Sequence, residues 1–368
     1  MQISIDDDDQ SITCLENLSN EIFYDIFDYL DGCHIYQGFI RLNRRFHQLL
    51  NSASLRLKLQ LGPQARAYYW STYELLMDYN RHQIFSIDLL TPLDEEVAIT
   101  TACSLDSSFT HLQSLAIGSM EVDLFFSLLL NLSSLPRLSS LSITVLHNFP
   151  VFHEVYQIVF DLPKLKFAKI SAKEYGDQTV ALSLPMSSVE SSSRIEHLVI
   201  DHWCSSQNLS AILSYTPHLT RLKVMDTLNL EEYFPIISSK IISNLTDLRL
   251  DLFPTSFDRF ERFLSPTFSK LKVLRLLCDD KEYLDARRWE KIIFKHLPQL
   301  QTFYLKFFHF LLYEDDSQPI EYPGRADDFS SLFWIERKWI LKAAVDDEMI
   351  FYVIDTYEYA WNNNAITH

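Results

Sequence analysis

Residues 245–250 read LTDLRL, and residues 271–276 read LKVLRL, 26 positions further on. Each stretch has apolar side chains at positions 1, 4 and 6 and an arginine at position 5. Such alternation marks a strand with one buried and one open face. The template extends outward in both directions, as IFSIDL, LQSLAI, LSSLSI, LKFAKI, IEHLVI and LTRLKV upstream and LQTFYL downstream. The segments begin at Ile84, Leu112, Leu138, Leu165, Ile195, Leu219, Leu245, Leu271 and Leu300, at intervals of 24 to 30 residues. A near-fixed period of this size signals a repeat architecture. Pro136, Pro163, Pro217 and Pro298 each stand two residues before the first apolar position. Proline ends a preceding helix and is tolerated at the entry to a strand, so a second signal shares the register of the first.

Between the strand-like segments lie apolar residues at helical spacing, as in Phe257, Phe260 and Leu264, or Leu230, Phe234 and Ile237. A unit of one strand and one helix cannot cover its own apolar face. Neighbouring units must therefore stack, with parallel strands on one side and helices on the other. The expected class is α/β. The LxxLxL pattern at this period resembles the leucine-rich repeat family, which implies a solenoid over residues 80–313, with the sheet inside and the helices outside. The asparagine or cysteine that the family places three residues after the third apolar position is missing; the residues there include Met120, Leu146, Lys173, Trp203, Thr227, Phe253 and Asp279. That side chain satisfies backbone groups in the turn leaving the strand, so an irregular arc is expected. An ordinary α/β domain of alternating units is the alternative.

Both ends differ from the middle. Residues 52–79 form a linker and cap, in which LRLKLQL (55–61) alternates strictly and predicts a half-buried strand. After an acidic loop at 314–328, residues 329–368 offer two β-rich runs on either side of DDE, read as a hairpin that closes the far end through Trp334, Trp339, Ile340, Ile350, Tyr352 and Ile354.

The N-terminal stretch 1–14 is acidic, with Asp6–Asp9 in a row, and is expected to be disordered. LSNEIFYDIFDYLD (18–31) predicts a helix beginning at Ser19, whose hydroxyl can cap the first turn, with Glu21 toward the positive end of the helix dipole. Two further short helices are expected through Ile35, Phe39, Leu42, Phe46, Leu49 and Leu50. Three helices in about 35 residues make too small a core to stand alone. The residues Leu18-Ser19-Asn20-Glu21-Ile22, Ile26-Phe27, Tyr29-Leu30 and Leu42-Asn43-Arg44-Arg45-Phe46 resemble the F-box family, over residues 15–51. Ser19 stands where the family carries proline, and Phe46 where many members carry tryptophan. The resemblance implies that Leu18, Glu21, Ile22, Ile26, Phe27, Leu30, Leu42 and Phe46 dock on a Skp-type adaptor and through it on a cullin-RING ligase. An amphipathic helical cap of the repeat array needs the same spacing and remains the alternative.

Composition narrows the chemistry. Glycine occurs only 6 times in 368 residues, which leaves few places where backbone can cradle a phosphate. The net charge of -17 repels polyanions, so nucleic acid is not an expected partner. Cys14, Cys33, Cys103, Cys204 and Cys278 are scattered and never in CxxC spacing, which fits a reducing compartment, cytoplasm or nucleus. No apolar run is long enough to span a bilayer, and no secretory signal opens the chain, so no membrane partner is expected. No HExxH, GxSxG, GxGxxG or P-loop sequence occurs. His197, Asp201, His202 and Cys204 come closest to a metal spacing, but on a strand and its exit turn they diverge. Cys33 and His34, adjacent on a helix, diverge as well. Neither catalysis, nor a metal, nor another cofactor is expected.

What remains is recognition. Residues between the buried positions face outward, and position 5 collects Lys169, Lys223, Arg249, Arg275 and Tyr304, with Arg221 at position 3. A basic stripe on an acidic chain predicts an acidic or phosphorylated segment of a protein substrate. Pairing of these cations with Asp247 and Asp251 is the competing reading. With the F-box resemblance, the expectation is the substrate-recognition subunit of an SCF-type ubiquitin ligase. A repeat scaffold or inhibitor with no ligase role is the alternative, and a GTPase regulator acting through an arginine is a third.

Overall fold

A computed structural model describes residues 15–60, 66–89, 104–118, 122–146, 152–173, 184, 193–225, 228–229, 244–253, 255–264, 268–310, 329–346 and 349–356. The acidic stretches 1–14 and 314–328, the helical pattern at Leu230, Phe234 and Ile237, and the tail 357–368 lie outside the described residues.

The protein is mixed α/β. Three short helices come first, α1 (Asn20–Phe27), α2 (Gly32–Phe39) and α3 (Arg44–Leu50), followed by β1 (Leu57–Gln60), α4 (Arg66–Tyr79) and β2 (Ile84–Leu89). The chain continues with β3 (Ser114–Ile117), α5 (Val122–Asn131), β4 (Ser140–Leu146), α6 (Phe152–Asp161), β5 (Phe167–Lys173), β6 (His197–Asp201), β7 (Cys204–Ser205), α7 (Ser206–Tyr215), β8 (Arg221–Val224) and β9 (Leu228–Asn229). The remainder is β10 (Asp247–Leu252), α8 (Phe257–Leu264), β11 (Val273–Cys278), α9 (Ala286–His296), β12 (Thr302–Phe310), α10 (Leu332–Glu336), β13 (Trp339–Asp346) and β14 (Met349–Thr356). Twelve strands form one sheet in the order β1-β2-β3-β4-β5-β6-β8-β10-β11-β12-β14-β13. All pairs from β1 to β12 are parallel, whereas the β13–β14 hairpin adds antiparallel to β12. The expected closing hairpin is thus present, with Trp334, Trp339, Ile350, Tyr352 and Ile354 buried and Ile340 39% exposed.

All nine template segments carry a strand, and their register is continuous. Position 4 runs Ile87, Leu115, Leu141, Ala168, Leu198, Leu222, Leu248, Leu274, Phe303, each opposite the next and each buried. Position 6 does the same from Leu89 to Leu305. Helices press their apolar sides into this core: Val155, Tyr156, Val159 and Phe160 from α6, Leu209, Ile212 and Leu213 from α7, Phe257, Phe260, Phe263 and Leu264 from α8. The strands between β3 and β12 begin later than the template does, because the first apolar position belongs to a turn; the N–H of Leu112, for example, donates to the Phe109 carbonyl at 3.2 Å. Each following position-2 carbonyl accepts two N–H groups from the next unit, as Ser139 O does from Lys166 and Phe167 at 2.9 Å each. These bonds satisfy the backbone donors at the entries of the described strands of the twelve-stranded sheet from β4 to β12. At the exit, Cys204–Ser205 and Leu228–Asn229 form a separate two-stranded sheet.

Helices α1 to α3 close around a ring cluster. Phe23 meets Phe46 edge-on at 4.8 Å, and Phe39 lies 5.1 Å from Phe27 and 5.2 Å from Phe46. The cluster is mounted on the sheet. Asp31, the N-cap of α2, accepts from Cys33 N at 2.8 Å through one oxygen and from Gln60 N, at the end of β1, at 2.6 Å through the other. Gly32 lies so close to β1 that a Cβ there would sit 2.8 Å from Leu59 Cδ2. On the far side, Gln83 Nε2 donates at 2.8 Å to the carbonyls of both Leu50 and Ser52, and Asn80 Nδ2 donates to the Tyr36 hydroxyl. Burial pushes the Tyr36 phenol up to about 12.

Candidate functional site

Two surfaces carry the residues expected to make contacts. On the helical module, helical spacing brings an apolar stripe inward, and the stripe is not fully covered. Ile22 is 43% and Leu42 55% exposed, and Leu18, Ile26 and Leu30 are half-buried. Glu21 is exposed; hydrogen bonding from Ser19 holds its carboxyl below the usual carboxylate range, helped by its own backbone N–H. Phe27 and Phe46 do not join this surface. At 2% and 0% exposure, unlike the other residues expected to dock on an adaptor, both rings lie in the cluster inside the module. Ser19 also departs from expectation: it occupies the N-cap with extended backbone but makes no side-chain capping bond.

Sequence reasoning missed other contributors. Leu15 is 55% and Tyr29 91% exposed, and Ile40 is 38% exposed. Next to Leu15 and Leu42 in sequence, Asn43 Nδ2 donates to Glu16 Oε1 at 2.8 Å, which ties the two segments together. Arg45 was visible only as part of a motif. Its guanidinium donates to the Leu18 carbonyl and to Asn20 Oδ1, and lies 5.3 Å from the centre of the Phe23 ring, locking the entry of α1 onto α3.

On the sheet, the register places Ser142, Lys169, Val199, Lys223, Arg249, Arg275 and Tyr304 in one row, each opposite the next. The expected column therefore exists as a physical line of side chains about 4.8 Å apart from strand to strand. His197, Arg221 and Asp247 form the adjoining position-3 row. Carboxylates take part of the charge: Lys169 Nζ is 3.2 Å from Asp201 and Arg275 3.1 Å from Asp247. Lys223 and Arg249, at the middle of the row, make no ion pair among the described residues. Burial, then the positive charge of Arg249 and Lys169, holds the Lys223 ammonium below the usual lysine range. Burial and Arg221 likewise lower His197. Tyr304 ends the row beside Asp355, and burial followed by that carboxylate raises its phenol. The arrangement is a cationic row in which Lys169 and Arg275 are paired, while Lys223 feels Asp251 and Asp201 without a direct ion pair among the described residues.

Other candidates resolve into structure. Tyr156 and His202 share a buried hydrogen bond of 2.6 Å, and the other ring nitrogen of His202 is 2.8 Å from the Trp203 carbonyl. Cys33, Cys204 and Cys278 are buried, and burial pushes the Cys204 thiol up to about 12. Among the described residues no group of three or more His, Cys, Asp or Glu could hold a metal ion, and no helix is long and apolar enough to cross a membrane. The chain matches no family model and no curated protein.

Proposed function

We propose that the chain is the non-catalytic substrate-recognition subunit of an SCF-type ubiquitin ligase, with an F-box at residues 15–51 and an irregular leucine-rich-repeat solenoid at 80–313. The observation that carries the reading is the coexistence of an incompletely covered apolar stripe on the helical module with an in-register cationic row on the sheet. Leu18, Ile22, Ile26, Leu30 and Leu42, joined by Leu15, would dock on a Skp-type adaptor and through it on a cullin-RING scaffold. Burial of such side chains gives about 25 cal/mol per Å² of apolar area, and a few central ones carry most of the energy. Lys223 and Arg249, with Arg221, Lys169 and Arg275 around them, would hold an acidic or phosphorylated segment of the target. The mechanism is positional: holding both partners raises the effective concentration of target lysines near the conjugating enzyme.

The rigid mounting of the module through Asp31 and Gly32 supports this reading, since a positional device needs fixed geometry. One observation favours a second reading, a repeat scaffold without a ligase link: the module's largest rings are already sealed by its own chain. Pull-down with purified Skp-type adaptor separates the two. Wild type is expected to bind and Ile22→Asp with Leu42→Asp to lose binding; both sites are exposed, so the fold should tolerate the change. A wild-type chain that captures no adaptor leaves the scaffold. Lys223→Glu with Arg249→Glu should keep the adaptor and lose the target.

A further inference from the structure

A groove of about 1000 Å³ runs along the turns that lead into the strands, apart from the position-5 row. Arg137, Lys164, Arg194, His218 and Lys270 line it, each standing immediately before the first apolar residue of its repeat. All five are exposed. The turn that buries the leucine thus turns the preceding side chain outward, unit after unit. The LPRL, LPKL and TPHL motifs supply three of them, so a signal used to find the repeat also builds this rim.

The electrostatics are one-sided. Glu196 is the single carboxylate among the described lining residues, and Lys166 pairs with it at 2.9 Å. Lys164 Nζ donates to the Pro136 carbonyl of the neighbouring turn at 2.6 Å, which fixes its ammonium across the groove without cancelling its charge. Arg137, Arg194 and Lys270 make no ion pair among the described residues. Four uncompensated cations therefore share one hollow on a chain of net charge -17. Such clustering creates a locally positive potential that attracts an anion.

We propose that this groove binds an extended acidic segment of a partner polypeptide. From Arg137 to Lys270 the rim crosses from β4 to β11, five steps in the sheet order, or about 24 Å at the usual strand spacing of about 4.8 Å. An extended chain rising about 3.3 Å per residue covers that distance in about seven residues. Nucleic acid fits less well. Apart from His218 no described lining residue offers an aromatic ring for a base to stack on, and the net charge opposes a long polyanion. The proposal goes beyond the ligase reading and does not depend on it.

Fluorescence anisotropy of a labelled octaglutamate against the full-length chain tests it, with octaglutamine as control. Octaglutamate is expected to bind and to weaken as salt rises, and octaglutamine is not. Lys164→Glu with Arg194→Glu should weaken binding by about tenfold or more, while the same reversal at Lys291 and Lys295, exposed on α9 and outside the groove lining, should leave it within about twofold. Lys164→Gln with Arg194→Gln serves if charge reversal impairs folding. Absence of octaglutamate binding, binding that survives the rim substitutions, or tighter binding of an octathymidylate each overturns the proposal. Failure to capture the adaptor would not touch it.

Discussion

Asp31→Ala tests whether the helical module is held rigidly on the sheet. One carboxylate oxygen caps α2 by accepting from Cys33 N at 2.8 Å, and the other accepts from Gln60 N at 2.6 Å. Loss of an N-cap costs about 1 kcal/mol. Loss of a hydrogen bond to a charged acceptor costs about 1.5 kcal/mol at the lower end of its range, the appropriate end for a half-buried carboxylate. The sum, about 2.5 kcal/mol, corresponds to about a 60-fold fall in protection against local opening. Amide hydrogen exchange at Gln60 and Cys33 reads it directly. Asp31→Asn sharpens the test, because asparagine caps a helix as well as aspartate but keeps only one acceptor oxygen. It should loosen Gln60 by about tenfold, from the 1.5 kcal/mol share alone, and leave Cys33 protected. Unchanged exchange at Gln60 in both variants would refute the mounting.

Phe46→Ala removes a fully buried ring from between Phe23 and Phe39 and should cost about 3–5 kcal/mol, read as lost helicity and loss of protection in α1 to α3, with β10 and β11 unaffected. His197 should make stability depend on acid. Burial and Arg221 lower its folded pKa, so the unfolded chain takes up a proton first; stability is full above the unfolded value of about 6.5 and falls as pH drops through the lowered folded value. His197→Gln should flatten urea midpoints measured between pH 7 and pH 5 relative to wild type, and an unchanged slope would show that the proton is taken up elsewhere.

The sequence makes the sheet legible because burial there has a fixed address. In LTDLRL, Leu248 and Leu250 can only face the core once Asp247 and Arg249 face out, and stacking copies that choice from strand to strand. The row from Lys169 to Tyr304 could be written down for the same reason. The module was less legible. Helical spacing shows that Ile22, Phe27 and Phe46 belong to apolar faces, but a helix in a three-helix cluster has two such directions, one toward its own core and one toward a partner. Which side chain takes which depends on crossing angles that no local pattern encodes. Phe23, the most completely buried ring of α1, carried no distinguishing mark, and Leu15 gave no sign of its exposure. The tie from Asp31 to Gln60 spans 29 residues and rests on tertiary placement alone.

Charge places a further condition on both surfaces. The cationic row and the cationic rim sit on a chain whose remainder is strongly acidic, so an approaching anion meets attraction only within about a Debye length of Lys223, Arg249 or the rim, about 8–10 Å at physiological salt. A short acidic or phosphorylated segment fits inside that range; a long polyanion must extend into the repulsive field beyond it. Selection by length follows without any base- or sequence-specific contact. The ion pairs at Lys169 and Arg275 sharpen the selection by leaving Lys223 and Arg249 as the place in the row where an incoming anion breaks no direct ion pair among the described residues. Replacing Asp247 with asparagine would release Arg275, lengthen the attractive row by one strand, and relax the preference toward longer acidic peptides, an effect measurable as affinity against peptide length.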